Sequence, residues 1–167
     1  MRIGLVSDTH GYVHPRLVEA LGGCDAILHA GDVGIGPSGP AVLAALGALA
    51  PTRAVYGNID DAALRRALPE WDDVTLGGVR FRMTHIAGRP GRWAKGVKAR
   101  LAEDPPAVFV CGHSHQLRVE RVPELGGMLF VNPGAAGQQG FHQTKTLVRL
   151  DVDGGRLVRA EAVHLDG

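Results

Sequence analysis

The first third of the chain alternates short apolar runs with segments of helical character. Apolar runs that predict buried strands cover residues 2–6, 26–29 and 53–56, and segments that predict helices cover residues 15–21, 38–49 and 61–68. Pro15 suits the first turn of a helix, and Gly22 and Gly23 suit its end. This alternation is typical of α/β folds, in which helices connect neighbouring parallel strands.

The rest of the chain is richer in strands. Gly77 and Gly78 separate apolar runs at 74–76 and 79–83, which predicts a hairpin. The other predicted elements are a loop at 88–92, a basic amphipathic helix at 93–102, and strands at 107–111, 117–122, 128–131, 146–152 and 156–163. We therefore predict an α/β fold, a four-layer sandwich of two mixed β-sheets flanked by helices, with residues 1–167 forming a single domain.

Length, charge and cysteine content narrow the class of protein. A chain of 167 residues, 45% of them hydrophobic, can bury one sizeable core. Its 18 basic and 17 acidic residues nearly cancel, so bulk charge does not indicate a nucleic-acid or membrane partner. Cys24 and Cys111 lie in apolar surroundings and cannot form a disulfide framework, and no segment has the length of a membrane span. We expect a soluble, unexported protein located in the cytoplasm.

Polar side chains follow five of the apolar runs, at the point where each strand should leave its sheet. In chain order these side chains are Asp8 and His10, Asp32, Asn58, His85, and His113 with His115. Loops at the carboxyl ends of strands converge at one edge of an open α/β sheet, where ligands bind. We therefore expect these seven side chains to form one site.

The chemistry of this set favours metal ions. His113 and His115 lie two residues apart, so an extended backbone directs both imidazoles to the same side. Seven nitrogen and oxygen ligands suit two divalent ions that share a carboxylate, whereas a structural zinc needs about four. A set without thiolate indicates manganese, iron, nickel, zinc or cobalt. Any one of these residues alone could instead cap a turn. Turn capping does not readily explain why five strand ends all carry side chains of the kind that bind metals.

These residues, taken as motifs, resemble the calcineurin-like metallophosphoesterases, and in particular their small bacterial and archaeal phosphodiesterase branch. The matching motifs are Asp8-Thr9-His10, Gly31-Asp32, Gly57-Asn58-Ile59-Asp60, His85, Gly112-His113-Ser114-His115 and the closing turn Asn132-Pro133-Gly134. The resemblance implies that one metal ion is held by Asp8, His10, Asp32 and His115, and the other by Asp32, Asn58, His85 and His113. Asp32 would then bridge the two ions.

The resemblance also implies an activity, which is the hydrolysis of phosphodiesters by a hydroxide activated at the dinuclear centre. Asn58 would act as a catalytic residue by donating a hydrogen bond to a phosphate oxygen. The substrate would be a small phosphoester, with a nucleotide as one candidate. Two alternatives stay open: a phosphomonoesterase of the same fold, and a non-catalytic metal-binding scaffold for protein interactions, like the sorting subunit of retromer. Carboxy-terminal strands could also pair between subunits, which allows a homo-oligomer.

The sequence departs from the family pattern near the predicted site. Ile59 occupies the position of a histidine that helps to protonate the leaving group in many members, and Ile86 replaces a common glycine. Residues 138–142 replace a proline and an arginine that lie near the substrate in the small branch.

Four further residues have two possible roles. His29 is expected in the core or as a partner that orients a ligand, and His142 lies in a loop that could lean over the site. Arg89 and Arg92 either contact phosphate or are simply solvated.

Overall fold

Two five-stranded sheets form the centre of the structure, a computed structural model that describes residues 1–141 and 144–166. The elements in chain order are β1 (Arg2–Val6), α1 (Pro15–Leu21), β2 (Ala26–His29), α2 (Ser38–Gly47), β3 (Thr52–Ala54), α3 (Ala62–Ala67), β4 (Trp71–Leu76), β5 (Val79–Thr84), β6 (Gly88–Arg89), β7 (Arg92–Trp93), α4 (Val97–Glu103), β8 (Val108–Val110), β9 (Arg118–Val122), β10 (Met128–Asn132), β11 (Thr146–Asp153) and β12 (Arg156–His164). A 3-10 turn at Pro123–Leu125 separates β9 from β10.

Both sheets combine parallel and antiparallel strands. The first has the order β12-β11-β1-β2-β3, with β1, β2 and β3 parallel and the two carboxy-terminal strands antiparallel. The second has the order β4-β5-β8-β10-β9, with its three central strands parallel and its outer strands antiparallel. Parallel neighbours place their carboxyl ends at the same edge, which positions the candidate site.

Alternation along the central strands sorts side chains into separate layers. Val108 and Val110 belong, with Ile3, to the cluster between the sheets, whereas Phe109 faces outward into the cluster that contains Leu101 of α4. Helices α1 to α3 cover the other face of the first sheet. The helix, sheet, sheet, helix order confirms the predicted four-layer sandwich. Each fully buried aromatic or aliphatic side chain in these layers contributes roughly 1.5–3 kcal/mol through removal from water.

The segment between β5 and α4 differs from the prediction. Residues 88–93 form a two-stranded hairpin instead of a loop, so Trp93 lies in a strand, and the helix predicted at 93–102 begins only at Val97. Gly96, with φ of 80°, breaks the helical backbone just before that residue. The sequence pattern looked helical from Trp93 onward because the Trp93 ring packs against the same cluster as Val97 and Leu101. Trp93 reaches that cluster from a strand, whereas Val97 and Leu101 reach it from the helix.

The structure describes the surroundings of both cysteines and the lengths of the helices. Cys24 and Cys111 are free and buried in different hydrophobic clusters, so they form no disulfide with each other. Among the described residues, no helix has both the length and the apolar character needed to cross a membrane.

Candidate metal centre

The loops after β1 and β2 run side by side because those strands are parallel neighbours. The backbone N–H of Asp8 donates to the carbonyl of Gly31 at 3.0 Å, and the N–H of His10 donates to the carbonyl of Asp32 at 3.0 Å. These bonds continue the pairing beyond the sheet and hold both carboxylates at its edge. The first sheet therefore supplies Asp8, His10 and Asp32.

The second sheet brings its histidines to the same edge. His85 follows β5, and its carbonyl accepts a hydrogen bond from Gly112 N–H, after β8, at 3.0 Å. The N–H of His113 donates to Asp8 Oδ2 at 3.1 Å, which joins the loops of the two sheets directly. The site therefore lies at the junction of the sheets.

Among the described residues, two groups have the spacing of a metal site. The inner group consists of Asp8, His10 and His115. Asp8 Oδ1 lies 3.1 Å from His115 Nε2 and 3.8 Å from His10 Nε2. The Asp8 side chain is fully buried, and those of His10 and His115 are 10% and 15% exposed.

The outer group consists of Asp32, His85 and His113, together with Asn58. Asp32 Oδ2 lies 3.2 Å from His85 Nε2. Asn58 Oδ1 lies 3.0 Å from both His85 Nε2 and His113 Nδ1. Four donor atoms from four separate loops therefore converge on one small volume.

Asp32 connects the inner and outer groups. Its Oδ2 atom lies 3.5 Å from His10 Nε2 as well as 3.2 Å from His85 Nε2. Its other oxygen accepts a hydrogen bond from the backbone N–H of Ile59 at 3.0 Å, which sets the carboxylate orientation. Asp32 is therefore placed to contact ions in both groups.

The tautomer of His85 is set by a backbone carbonyl. His85 Nδ1 lies 2.7 Å from the carbonyl oxygen of Ala30, which can only accept, so Nδ1 carries a proton. The lone pair of the neutral ring at Nε2 then faces two further oxygens, from Asn58 and Asp32. A lone pair directed at oxygen atoms requires either a proton or a cation between them.

Unsatisfied atoms and spacing both fit metal ions. Among the described residues, the buried side-chain polar atoms without a hydrogen bond are Asp8 Oδ1, His10 Nε2 and Trp93 Nε1, and two of these three belong to the inner group. Atoms bound to one ion at about 2.0–2.2 Å lie about 3.0–3.6 Å from one another. The separations in both groups are near this range.

Cys111 lies beside the site in sequence but faces away from it. Its side chain packs in the cluster beneath α4, with Phe109 and Leu101. Burial raises the pKa of its thiol far above the usual range, so the thiolate that a metal would need is disfavoured. The donor set is therefore nitrogen and oxygen, as the sequence indicates.

Strained backbone is concentrated at the candidate ligands. Among the described residues, the non-glycine residues with positive φ are Asp8, His10, Asp32, His113 and His115, with φ between 48° and 70°. Side chains other than glycine rarely adopt this left-handed conformation, which costs about 1–3 kcal/mol at each residue. Five of the seven predicted ligands carry this cost, which is typical of a functional site.

Two motif glycines are required by close approach. A side chain at Gly57 would overlap the carboxylate of Asp32, and one at Gly112 would overlap Ser7 Oγ and Asp8 Oδ2. Gly57 therefore leaves room for a carboxylate of its own sheet, and Gly112 leaves room for a carboxylate of the other sheet.

The carboxylates and imidazoles of the site shift one another's pKa values. Burial acts to raise the pKa of Asp8 and of Asp32, but neighbouring imidazoles hold both well below the usual range. The carboxylate of Asp8, 3.8 Å from Nε2, raises the pKa of His10. The pKa of His85 is also raised, because Asp8 and Asp32 outweigh the opposing effect of burial. The two carboxylates thus favour positive charge at His10 and His85.

His29 joins the loops that carry the inner group and Asp32. Its Nδ1 accepts from Gly31 N–H at 3.1 Å, so Nε2 carries the proton and donates to Thr9 Oγ1 at 2.9 Å. The Thr9 hydroxyl in turn donates to the carbonyl of Val33 at 2.8 Å. Complete burial lowers the pKa of His29 to about 4, so the ring is neutral. His29 is a partner that orients the ligand loops.

Two supporting residues have roles that the sequence analysis did not assign. Asp60 accepts from Gly34 N–H at 2.9 Å and from Gly57 N–H at 2.8 Å, and so joins the loops of Asp32 and Asn58. Asn132 Nδ2 donates to the carbonyl of Gly112 at 3.0 Å and holds the histidine loop. Both residues lie in motifs that match the family pattern, and this match was the sequence feature that could have indicated their roles.

The remaining candidate residues lie around the site. The Ile59 side chain is partly exposed beside Asp32, and Ile86 is 45% exposed. Arg89 and Arg92 line a cavity that also contacts His113. The prediction for His142 falls outside the described residues.

Comparisons with known proteins agree with this geometry. A model of the calcineurin-like phosphoesterase superfamily domain matches residues 1–155. A search of curated proteins found no match.

Solved structures show the same fold. An archaeal phosphodiesterase has a TM-score of 0.74 and 21% identity, covering 98% of this chain and 100% of that one. A predicted phosphoesterase from Streptococcus pneumoniae has a TM-score of 0.72 and 24% identity, covering 99% and 90%. Vps29 from Entamoeba histolytica, complexed with Zn²⁺, has a TM-score of 0.70 and 18% identity, covering 99% and 100%. These likenesses extend over the whole sandwich.

Proposed function

Because this chain belongs to the calcineurin-like phosphoesterase superfamily, we propose that it is a metal-dependent phosphodiesterase with a dinuclear centre. The observation that carries the proposal is the position of Asp32, whose Oδ2 lies within 3.5 Å of an imidazole nitrogen in each of the two groups. A single-ion site has no need of a carboxylate between two sets of ligands. The geometry therefore supports two ions that share Asp32.

Each ion would have four ligands from this chain. The inner ion would be held by Asp8, His10, Asp32 and His115, and the outer ion by Asp32, Asn58, His85 and His113. Manganese, iron, nickel, zinc and cobalt all accept such nitrogen and oxygen donors. When bound, two divalent ions lower the pKa of water and stabilise negative charge on phosphate oxygens.

The side chains then bind and orient the ester. Asp8 and Asp32 neutralise only half of the charge of two divalent ions, so an anionic phosphodiester is attracted to the site. Asn58 directs Oδ1 towards His85 and His113, which leaves its Nδ2 to donate to a phosphate oxygen. This is the catalytic role that we propose for Asn58.

The leaving group favours diesters over monoesters. A positioned general acid contributes typically ~10²–10⁴-fold, and the hydrocarbon side chain of Ile59 cannot donate a proton. An unactivated monoester must expel a poor alkoxide from a dianion and needs that proton most. Diesters with good leaving groups are therefore the preferred substrates, and a nucleotide-type diester is among them.

A scaffold without turnover is the second candidate, because Vps29 is among the similar structures. The intact set of seven side chains argues against it, since a protein-binding surface has no use for strained, unsatisfied ligands.

A cytoplasmic location is also part of our proposal. It is supported by two buried free cysteines, which are typical of a reducing compartment.

The test combines metal analysis with a substrate panel. Purified protein is stripped, reloaded with manganese, nickel or zinc, and analysed for metal per chain. It is then assayed with bis(p-nitrophenyl) phosphate and p-nitrophenyl phosphate. We expect two ions per chain and faster diester hydrolysis. Metal binding without hydrolysis of either ester would favour the scaffold, and a preference for the monoester would favour a phosphomonoesterase.

A further inference from the structure

A cavity of about 400 Å³ lies beside the outer group and is not explained by the metal ligands. His113 and Asn132 form its side towards the candidate centre, and Ile86 forms part of its wall. The volume is within the range of small-molecule sites, about 300–1,000 Å³. A group attached to a phosphate at the centre can therefore extend directly into this cavity.

The cavity has a rigid aromatic wall. Trp93 and Phe130 both line it, and their ring centroids lie 5.7 Å apart in an edge-to-face arrangement. Trp93 also contacts Phe109 at 6.4 Å, so its ring is held by the core beneath. Such a wall offers a planar, apolar contact at little cost in conformational entropy. An aromatic or heterocyclic ring is the group that it fits.

Two arginines at the cavity have no acidic partner in the described part of the chain. Arg89 and Arg92 are directly opposite each other in the β6–β7 hairpin, and both are exposed. Neither side chain forms a hydrogen bond or ion pair with another residue that the structure describes. Like charges opposite each other destabilise a strand pair, and a hairpin of two-residue strands has little with which to offset this. An anion between the guanidiniums would remove the repulsion.

The cavity on the other side of Ile86 has a different character. It has a volume of about 370 Å³ and is lined by Asn58 and His85. Glu70 lies in its wall together with Arg65 and Lys95, so its charge is mixed. The two cavities therefore flank the outer group, as the two arms of a diester require, and the first combines an aromatic wall with two arginines paired across a hairpin.

We propose that the Trp93 cavity binds one arm of a nucleotide-type phosphodiester, with the base against Trp93 and a second phosphate between Arg89 and Arg92. This inference rests on the proposed function and specifies its substrate class. Hydrolysis consumes one water: its oxygen bonds to phosphorus, the bond from phosphorus to one ester oxygen breaks, and that oxygen leaves with a proton. The second phosphate is bound but not cleaved.

The first experiment compares two DNA dinucleotides that differ by one phosphate. Thymidylyl-thymidine has only the internal diester, whereas its 5′-phosphorylated form carries a terminal phosphate as well. We expect kcat/KM of the metal-loaded protein to be about ten-fold higher for the phosphorylated dinucleotide, because charge-assisted hydrogen bonds to Arg89 and Arg92 are added. Equal values for the two dinucleotides would overturn the inference.

Variants then assign the preference to the hairpin. In the double variant Arg89→Ala, Arg92→Ala, we expect the ratio of the two kcat/KM values to fall to about one. Arg156→Ala is the matched control, because this exposed arginine lies in the β11–β12 hairpin. A preference that survives in the double variant, or that is lost in Arg156→Ala, would show that the hairpin is not the phosphate site.

Binding to the metal-free protein separates this inference from the proposed function. Calorimetric titration with the phosphorylated dinucleotide should show binding that weakens about ten-fold in the double variant. If neither dinucleotide is hydrolysed but this difference in binding is found, the subsite stands and the diesterase proposal fails for these substrates. If diesters are hydrolysed and the binding difference is absent, the diesterase proposal stands and the subsite is wrong.

Discussion

The inner and outer groups of the candidate centre are built from similar ligands but differ in their access to solvent. The side chains of Asp8, His10 and His115 are at most 15% exposed. In the outer group Asn58 and His113 are exposed, and cavities open from both. In the dinuclear centre that we propose, the closed inner group would retain its ion and the open outer group would contact the substrate.

The largest effect is expected where the two groups meet. Asp32→Asn preserves the shape of the side chain but removes the charge that both ions would share. We expect elemental analysis to show loss of both ions, and diester hydrolysis to fall to background. Asp153→Asn, at an exposed hairpin position, is the control and should retain both ions. Two tightly bound ions in Asp32→Asn would show that this carboxylate is not the bridge.

Acid should empty both groups, since protons and metal ions compete for the same imidazoles. The pKa values of His10 and His85 are raised in the metal-free protein. Their protonation therefore stabilises the metal-free fold below about pH 6.5, and this stabilisation is lost as pH rises through the raised values. Metal binding instead stabilises the fold more strongly as pH rises, because an imidazole must be neutral to bind an ion. Between about pH 6 and pH 8, we expect the Tm of the metal-free protein to fall and that of the metal-loaded protein to rise. Parallel pH profiles would contradict four histidine ligands.

Substitution of one histidine in each group tests the difference in access directly. We expect His113→Gln to lose the outer ion rapidly to a chelator while the inner ion exchanges slowly. In His115→Gln the inner group loses a buried ligand, so both ions should exchange rapidly because they share Asp32. Stopped-flow measurement of metal release decides between these outcomes. Identical release from the two variants would mean that the groups are not different.

A smaller loss is expected from the residues that join the ligand loops. Thr9→Val keeps the volume of the side chain but removes the hydroxyl between His29 and Val33. Loss of such an orienting contact typically weakens metal binding ~10–100-fold. Thr52→Val is the matched control, because it removes a single hydrogen bond, to the Ala50 carbonyl, far from the site. Equal metal affinity in the two variants would show that the hydrogen bond between Thr9 and His29 does not orient the metal ligands.

The smallest expected effect concerns the open side alone. Ile59→His places an acid and base beside the outer group, and should raise kcat/KM for an unactivated monoester more than for an activated diester, by about ten-fold in the ratio. The isosteric control Ile59→Leu should leave the ratio unchanged. A wild-type preference for unactivated monoesters would contradict the role that we assign to this position.

Local patterns were sufficient to predict most of the fold. The strand at 2–6 and the helix at 15–21 were predicted with the bounds found, because an apolar run or a proline start is visible within a few residues. The helix predicted at 93–102 was placed too early, since the hydrophobic period there comes from a strand followed by a helix that both face one core. That residues 1–167 form a single domain stays a prediction.

The identities of the seven candidate ligands were readable in the sequence because each follows a strand, and parallel strands bring their ends to one edge. Their division into two groups was not readable from spacing. It depends on which loops of the two sheets come into contact, as in the hydrogen bond from His113 N–H to Asp8 Oδ2 across 105 residues of chain.

The arginines of the β6–β7 hairpin are a second case in which the sequence could not show which groups come together. The sequence left two roles open for Arg89 and Arg92, phosphate contact or simple solvation, and only the folding of the hairpin beside His113 places their charges at a cavity next to the site.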